Sequence, residues 1–450
     1  MNILQHPESG KSIPSPTNTA SQHSDSHRES QFEKYIFAVP ALLFIMTPAI
    51  EMIIRMFFPV SESYVNGFEV FNAFKVNQWI VPICFLCSLA GYASFILHST
   101  AESLREKRGQ LLPYYLFGAL ILLMLISTIC NGFTDAAISG EANRRESLFG
   151  YMLYFFTFFG CTAMICEKET KAFILHVFLI ISMILAVLSL INISIYPFPG
   201  LKNYGPYSAC FYNSNHYAYF LTIAVSVSLT LLMLEHNNWR ILDLFAFLLN
   251  TVMLVFTHTS GCILACLASA VLLIFVLSLK YHRKDWVKLL LLIVLVFLIS
   301  CVSPAFRQEL MDFSHDLHVL FQGSSSPSFK HLGHNRMQQW MYTWKLIKEK
   351  PLLGWGVEGI REQLAAHSTA ERPHNEYLQY AAFFGIPAVI LYVSGILSIF
   401  IHALRRSAAH LDIYTLASLT GAFGYIVSAC FGVSMFYTAP FFFIFLGLSM

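Results

Sequence analysis

The pair His374-Asn375 opens an apolar run at the far end of a long polar segment, and nine residues separate it from Gly385. A histidine takes up a proton near neutral pH. Placed in the first turn of a helix it feels the positive end of the dipole, which disfavours the imidazolium and leaves the ring a usable base. Catalysis at a membrane surface is one reading of this pair, and a helix-capping role is the other. Four arginines form the second group of interest: Arg144 and Arg145 ahead of one apolar run, Arg336 at the head of an amphipathic stretch, and Arg372 two residues before His374. A planar guanidinium grips phosphate oxygens two at a time and stays charged in a half-apolar site, so it is a natural reader of pyrophosphate. Anchoring at headgroup depth competes with that role. Segment 195–215 contributes Lys202, Tyr204, Tyr207, Tyr212, Asn213 and Asn215, suited either to a sugar or isoprenoid phosphate or to a headgroup-depth belt.

These residues are carried by a chain of 450 residues that is 56% hydrophobic and 12% charged. Soluble domains carry about 25% charged residues, so this is a polytopic membrane protein. A net charge of +2 gives no reason to expect nucleic acid as a partner. The ten cysteines fall mostly inside apolar runs and read as small core residues; Cys84-x-x-Cys87 sits within one such run, with no second pair to complete a zinc or redox motif. Residues 1–34 lack an apolar run and read as a disordered cytoplasmic tail, with no cleavable signal peptide.

Runs of about twenty apolar residues predict an all-α protein with about twelve transmembrane helices. They fall near 35–58, 79–97, 114–130, 148–165, 172–194, 216–234, 241–257, 260–279, 289–303, 376–403, 412–431 and 433–450. Nine spans thus occupy 35–303 and three occupy 376–450, with 304–375 as a long loop. Short loops rich in Lys and Arg, such as the one with Arg105, Lys107 and Arg108, put the tail in the cytoplasm and the long loop on the extracytoplasmic side of the cytoplasmic membrane. Within that loop Met337, Trp340, Met341, Trp344 and Ile347 recur at helical spacing, predicting an amphipathic helix that lies on the interface or roofs a cavity. Pro351 ends it, Gly354-Trp355-Gly356 supplies a turn, and a second short helix follows around 357–366.

Other constellations are weaker. Glu51 and Arg55 have the spacing of an intrahelical ion pair. Asp312, His315, Asp316 and His318 are close enough to ligate a metal, yet read better as a solvated polar segment. The outer loops hold no Asp-x-Asp pair of the kind that carries a metal-bound diphosphate, and no metal or cofactor is expected.

Taken together, Arg336, Trp340, Pro351-Leu-Leu-Gly-Trp-Gly356, Pro373-His-Asn-Glu-Tyr-Leu378 and Gly385-Ile-Pro387 resemble the O-antigen ligase and polymerase family of lipid-linked glycan transferases. Phe211-Tyr-Asn-Ser-Asn215 and Arg145-Glu146 resemble two further family elements outside the loop. The chain departs from the pattern at Ala388 and at Thr257-His-Thr-Ser-Gly261, where Ser260 stands in place of a usual arginine; Lys202 or Arg361 would then take over that task.

The resemblance implies a GT-C-type glycosyltransferase that moves a glycan from a polyprenyl pyrophosphate carrier to a hydroxyl of a lipid, glycan or protein acceptor. His374 would be the base and Asn375 its helper. Arg336, Arg145, Arg144, Arg372 and Lys202 would bind the donor pyrophosphate without a metal, and Asn215, Tyr212 and Trp355 would contact substrate. Ligase, polymerase and protein O-oligosaccharyltransferase stay open, as does a transporter or flippase. A transporter would call for ionisable groups at mid-span, and these are sparse.

Overall fold

Small and hydroxylated residues set the middle of the helical bundle. The computed structural model describes residues 41–54, 108–140, 146–164, 167–198, 207–211, 213–280, 304–323, 326–368, 370–409, 412–435 and 438–450, together with isolated residues between these stretches. Among the described residues all regular structure is helical. The helices relevant to the site are α1 (Ala41–Ile54), α2 (Arg108–Asn131), α3 (Leu148–Met164), α4 (Lys168–Ser194), α5 (Ser214–Leu234), α6 (Arg240–Phe256) and α7 (Ser260–Lys280). They are followed by α8 (Pro304–Gln322), α9 (Leu332–Glu349), α10 (Arg361–His367), α11 (Glu376–Phe384), α12 (Ile386–Ala409), α13 (Ile413–Ser428) and α14 (Ala439–Leu448).

The axis of the bundle is α5, buried almost throughout and packed on α4, α6, α7 and α13. Between helices in a membrane, association rests on close packing and hydrogen bonds rather than on escape from water, so small residues mark the contacts. Gly421 and Gly424 of α13 face Val227, Ser226 and Thr222 of α5 so closely that a Cβ at either would meet atoms at 2.8 and 2.9 Å. Thr230 and Thr420 share a hydroxyl hydrogen bond of 2.7 Å across the same contact. Beside this core α2 packs on α12 and α3 on α14.

Among the described residues six helices are long and apolar enough to cross a membrane: Leu111–Asn131, Lys168–Ser194, Ser214–Leu234, Ser260–Ser278, Ile386–Arg405 and Ile413–Phe431. Ala41–Ile54, Leu148–Thr162 and Ala439–Leu448 are shorter apolar helices. The protein is a multi-pass membrane protein. Residues 79–88 and 90–97 of the expected second span, Arg55 of the expected ion pair, most of 289–303 and the tail 1–34 lie outside the described residues.

Two expected spans change shape. The run 376–403 is broken at Gly385 into α11 and α12, because the backbone turns there at φ 93°, a conformation natural to glycine alone. The run 433–450 becomes helical only at Ala439. Segment 304–375, read from the sequence as a long loop containing short helices, holds α8 ahead of the two expected helices α9 and α10. The amphipathic stretch falls on α9, which ends at Glu349 just before Pro351, and the second short helix falls at Arg361–His367.

Candidate functional site

Helix α11 carries His374-Asn375 at its entry, and both of its ends are clamped. At the exit, the turn at Gly354-Trp355-Gly356 feeds backbone N–H groups into carbonyls that the helix end leaves open: Trp355 N to Ala382 O and Gly356 N to Phe383 O, each at 2.9 Å. Ile386 N donates to Pro351 O at 2.7 Å. Ser127 at the end of α2 donates to Leu353 O at 2.5 Å, and Asn131 donates to Gly354 O at 3.2 Å. Gly354 and Gly385 are required by this contact. Both have positive φ, and a Cβ on Gly354 would come within 2.5 Å of the Phe383 carbonyl carbon.

At the entry, Asn375 is the N-cap. Its Oδ1 accepts from Leu378 N at 3.0 Å, while its Nδ2 donates to Cys430 O at 3.1 Å, tying α11 to the end of α13. Just upstream, the Arg372 guanidinium is 1% exposed and pairs with Glu146 and Glu358. Ser434 Oγ and Tyr154 OH also donate to Glu146, at 2.7 and 3.1 Å. Burial alone would lower the Arg372 pKa, but Glu358 and Glu146 outweigh it and hold the guanidinium above its ordinary value. Burial raises the Glu146 carboxyl against the pull of Arg372, as expected where one cation serves two carboxylates in a dry site.

Between these two anchors sits His374, half-buried and with φ 45°, in the left-handed region that a non-glycine residue rarely enters. Such strain persists where the surroundings over-determine it, which is typical of sites that must hold a side chain in one place. Its Nδ1 lies 3.0 Å from Oε1 of Gln339, a residue of α9 that is 4% exposed. A carbonyl oxygen only accepts, so with Gln339 Oε1 facing Nδ1 a neutral ring carries its proton there and its lone pair on Nε2.

Arg336 lies three residues before Gln339, on the same face of α9. The three residues before it, Gly333, His334 and Asn335, have left-handed dihedrals, so the regular helix starts at Arg336. Among the described residues no carboxylate forms an ion pair with Arg336, in contrast to Arg372. It lines an apolar cavity of about 290 Å³ whose walls come from α7, α8, α9 and Phe431. Trp340 lines the same cavity, and its buried indole N–H has no hydrogen-bond partner among the described residues. Phe431 adjoins Cys430, the acceptor of Asn375, so the cavity and His374 are neighbours.

Asn215 stands at the same end of the bundle, accepting from Thr259 Oγ1 at 3.1 Å beside Ser260 of the cavity wall. Arg144, Arg145, Lys202 and Tyr212 lie outside the described residues. Two expected ligand residues are placed elsewhere. Trp355 is at the exit of α11, about 12 Å along that helix from His374 at 1.5 Å per residue; its indole N–H donates to Leu346 O, and Lys350 covers its ring. Arg372 is closed off by its two carboxylates. Arg361, considered as a substitute for the arginine missing at Ser260, pairs with Glu371 at 2.9 Å on α10, whereas the cation sharing a cavity with Ser260 is Arg336. Sequence reading passed over Gln339, Glu358 and Glu146 as partners. A glutamine one turn after Arg336, in line with the buried face of an amphipathic helix, is the signal that would have found the first.

Residues 245–393 match the model of the O-antigen ligase family. This matched region resembles an O-antigen ligase domain. That domain runs from α6 into α12 and contains Arg336, Gln339, Arg372, His374, Asn375 and Gly385. It supports a glycosyl-transfer enzyme of the ligase and polymerase kind, acting on a lipid-linked glycan donor and an acceptor. No curated protein matches the chain.

Proposed function

We propose that the protein is a polyprenyl-pyrophosphate-dependent glycosyltransferase of the cytoplasmic membrane, working on the extracytoplasmic face. His374 is its general base and Arg336 its principal donor-phosphate ligand. The observation that carries this reading is the Gln339 contact, which links the imidazole and the guanidinium through one turn of α9 and leaves His374 Nε2 with the lone pair.

In the proposed reaction an acceptor hydroxyl attacks the anomeric carbon of the donor glycan. The new C–O bond forms as the bond to the pyrophosphate breaks, the leaving group takes the electron pair, and His374 Nε2 takes the hydroxyl proton. Attack from the face opposite the leaving group inverts the anomeric centre. Arg336 neutralises the charge growing on the departing pyrophosphate, a task done by a divalent ion in other transferases. Trp340 Nε1 adds a hydrogen-bond donor, and the apolar cavity below receives the first isoprene units of the carrier. Arg144, Arg145 and Lys202 remain candidates for the outer phosphate. Asn375 acts by fixing the entry of α11, since both ends of its amide are used by the backbone.

Purified protein in lipid nanodiscs, given a lipid-linked glycan and an acceptor, tests the assignment. We expect His374→Ala to lower transfer about 10²–10⁴-fold, the usual contribution of a positioned acid or base. Full transfer by that variant would refute the proposal, and accumulation of unmodified substrate in vesicles would favour a transporter.

A further inference from the structure

At the opposite end of α5 from Asn215, three titratable side chains meet out of reach of solvent. His176 on α4, Glu235 one residue past α5 and Asp243 in the first turn of α6 are 4%, 2% and 0% exposed. His176 Nε2 stands 3.1 Å from Glu235 Oε2 and 3.8 Å from Asp243 Oδ1, and one ligand atom from each residue lies within 4.8 Å of the others. The length of α5, about 31 Å at 1.5 Å per residue, separates this cluster from the His374 end.

The cluster is short of a positive centre. His176 Nδ1 lies 2.8 Å from the Ala172 carbonyl, which only accepts, so the proton of a neutral ring resides there. Nε2 then faces two carboxylates: a neutral ring turns its lone pair on them, and a protonated ring donates to Glu235 and balances only one of the two negative charges. Both oxygens of Asp243 are buried with no hydrogen-bond partner among the described residues.

We propose that His176, Glu235 and Asp243 bind one divalent transition-metal ion, best matched by Zn²⁺, as a clip joining α4, α5 and α6. One imidazole and two carboxylates form a donor set that zinc accepts, and a doubly charged ion balances the two carboxylates. Tetrahedral bonds of about 2.0–2.1 Å put ligand atoms roughly 3.3–3.4 Å apart. The distances of 3.1 and 3.8 Å bracket that value.

The surroundings match a metal site's outer groups. The Nδ1–H of His176 is fixed by a backbone carbonyl, and Glu235 Oε1 accepts from Tyr414 OH at 2.8 Å and Asn237 Nδ2 at 2.7 Å, leaving Oε2 for the ion. Trp239 stacks on the imidazole with ring centroids 4.6 Å apart and shields it. Three protein ligands leave a fourth position for water. The distance from His374 keeps this ion out of glycosyl transfer. The inference therefore stands or falls independently of the proposed reaction.

Chelator-stripped protein in nanodiscs, redialysed against Zn²⁺, is assayed by elemental analysis and thermal unfolding, with Co²⁺ absorption reporting the geometry. We expect one zinc per chain, tetrahedral Co²⁺ bands and a Tm raised by Zn²⁺. Asp243→Asn and His176→Gln should lose both the metal and its Tm increment while unfolding cooperatively in chelator. Tyr414→Phe should keep the metal with affinity weakened about 10–100-fold. Two results would overturn the proposal: wild-type protein that holds no more zinc than Asp243→Asn and is indifferent to Zn²⁺ on heating, or zinc retained in full when Asp243→Asn and His176→Gln are combined. The first would assign the cluster's missing charge to protons.

Discussion

Gln339→Leu isolates the contact on which the proposed chemistry turns. The leucine fills nearly the same volume in a site 4% exposed, so packing survives, but the Nδ1–H of His374 loses its acceptor at 3.0 Å. A donor left unsatisfied in a half-buried site costs about 1–3 kcal/mol, and Gln339 no longer fixes the proton on Nδ1. At 1.36 kcal/mol per factor of ten, that is a loss of roughly 5–150-fold in the transfer step. Single-turnover transfer with a pre-bound lipid-linked donor reads this step without product release. Gln339→Glu keeps an acceptor in place and should transfer faster than the leucine variant. Combining Gln339→Leu with His374→Ala should cost no more than His374→Ala alone, because the amide acts only through the ring. A folded Gln339→Leu protein with an unchanged single-turnover rate, or additive losses in the double variant, would refute the coupling.

The two arginines should respond in opposite ways. Arg336→Met should leave Tm unchanged and weaken donor binding in a titration with lipid-linked pyrophosphate, with Arg336→Lys restoring part of it; an unaltered affinity would remove Arg336 from the site. Arg372→Met should destabilise the protein by about 3–5 kcal/mol, since it strands Glu146 and Glu358 in the dry core. Adding Glu146→Gln and Glu358→Gln should recover most of that loss in a thermal unfolding assay, and no recovery would mean the cluster is not the cause. Gly385→Ala should cost at least about 1–2 kcal/mol from its positive φ alone, with more from the collision of a Cβ with the Leu352 carbonyl. Here an unaltered Tm would show that the turn at Gly385 is not constrained as described.

Membrane residence, an all-helical build and the amphipathic stretch of α9 were legible in the linear chain because each rests on a local property. Long apolar runs report bilayer residence, periodic Met and Trp report the amphipathic face of α9, and Pro351 and the glycines report its end. The break at Gly385 was not legible. Hydropathy continues unchanged through α11 and α12, whereas the turn is dictated by a loop some thirty residues earlier that docks on the exit of α11.

Residues that look alike in the chain part company for the same reason. Arg336 and Arg372 are both arginines near a polar stretch, and nothing adjacent to either reveals that Glu146, more than two hundred positions away, closes off one of them. Asn375 and Trp355 carry the motif's polar groups, yet the Cys430 carbonyl just past α13 and the Leu346 carbonyl of α9 take up their N–H groups. His176, Glu235 and Asp243 are scattered over three helices and form a cluster only once α4, α5 and α6 stand side by side. Composition and periodicity are properties of neighbours along the chain, and they sufficed to say that this is a helical membrane protein. Which polar groups still have hydrogen-bonding capacity to offer depends on partners distant in the chain, and packing alone assigns them.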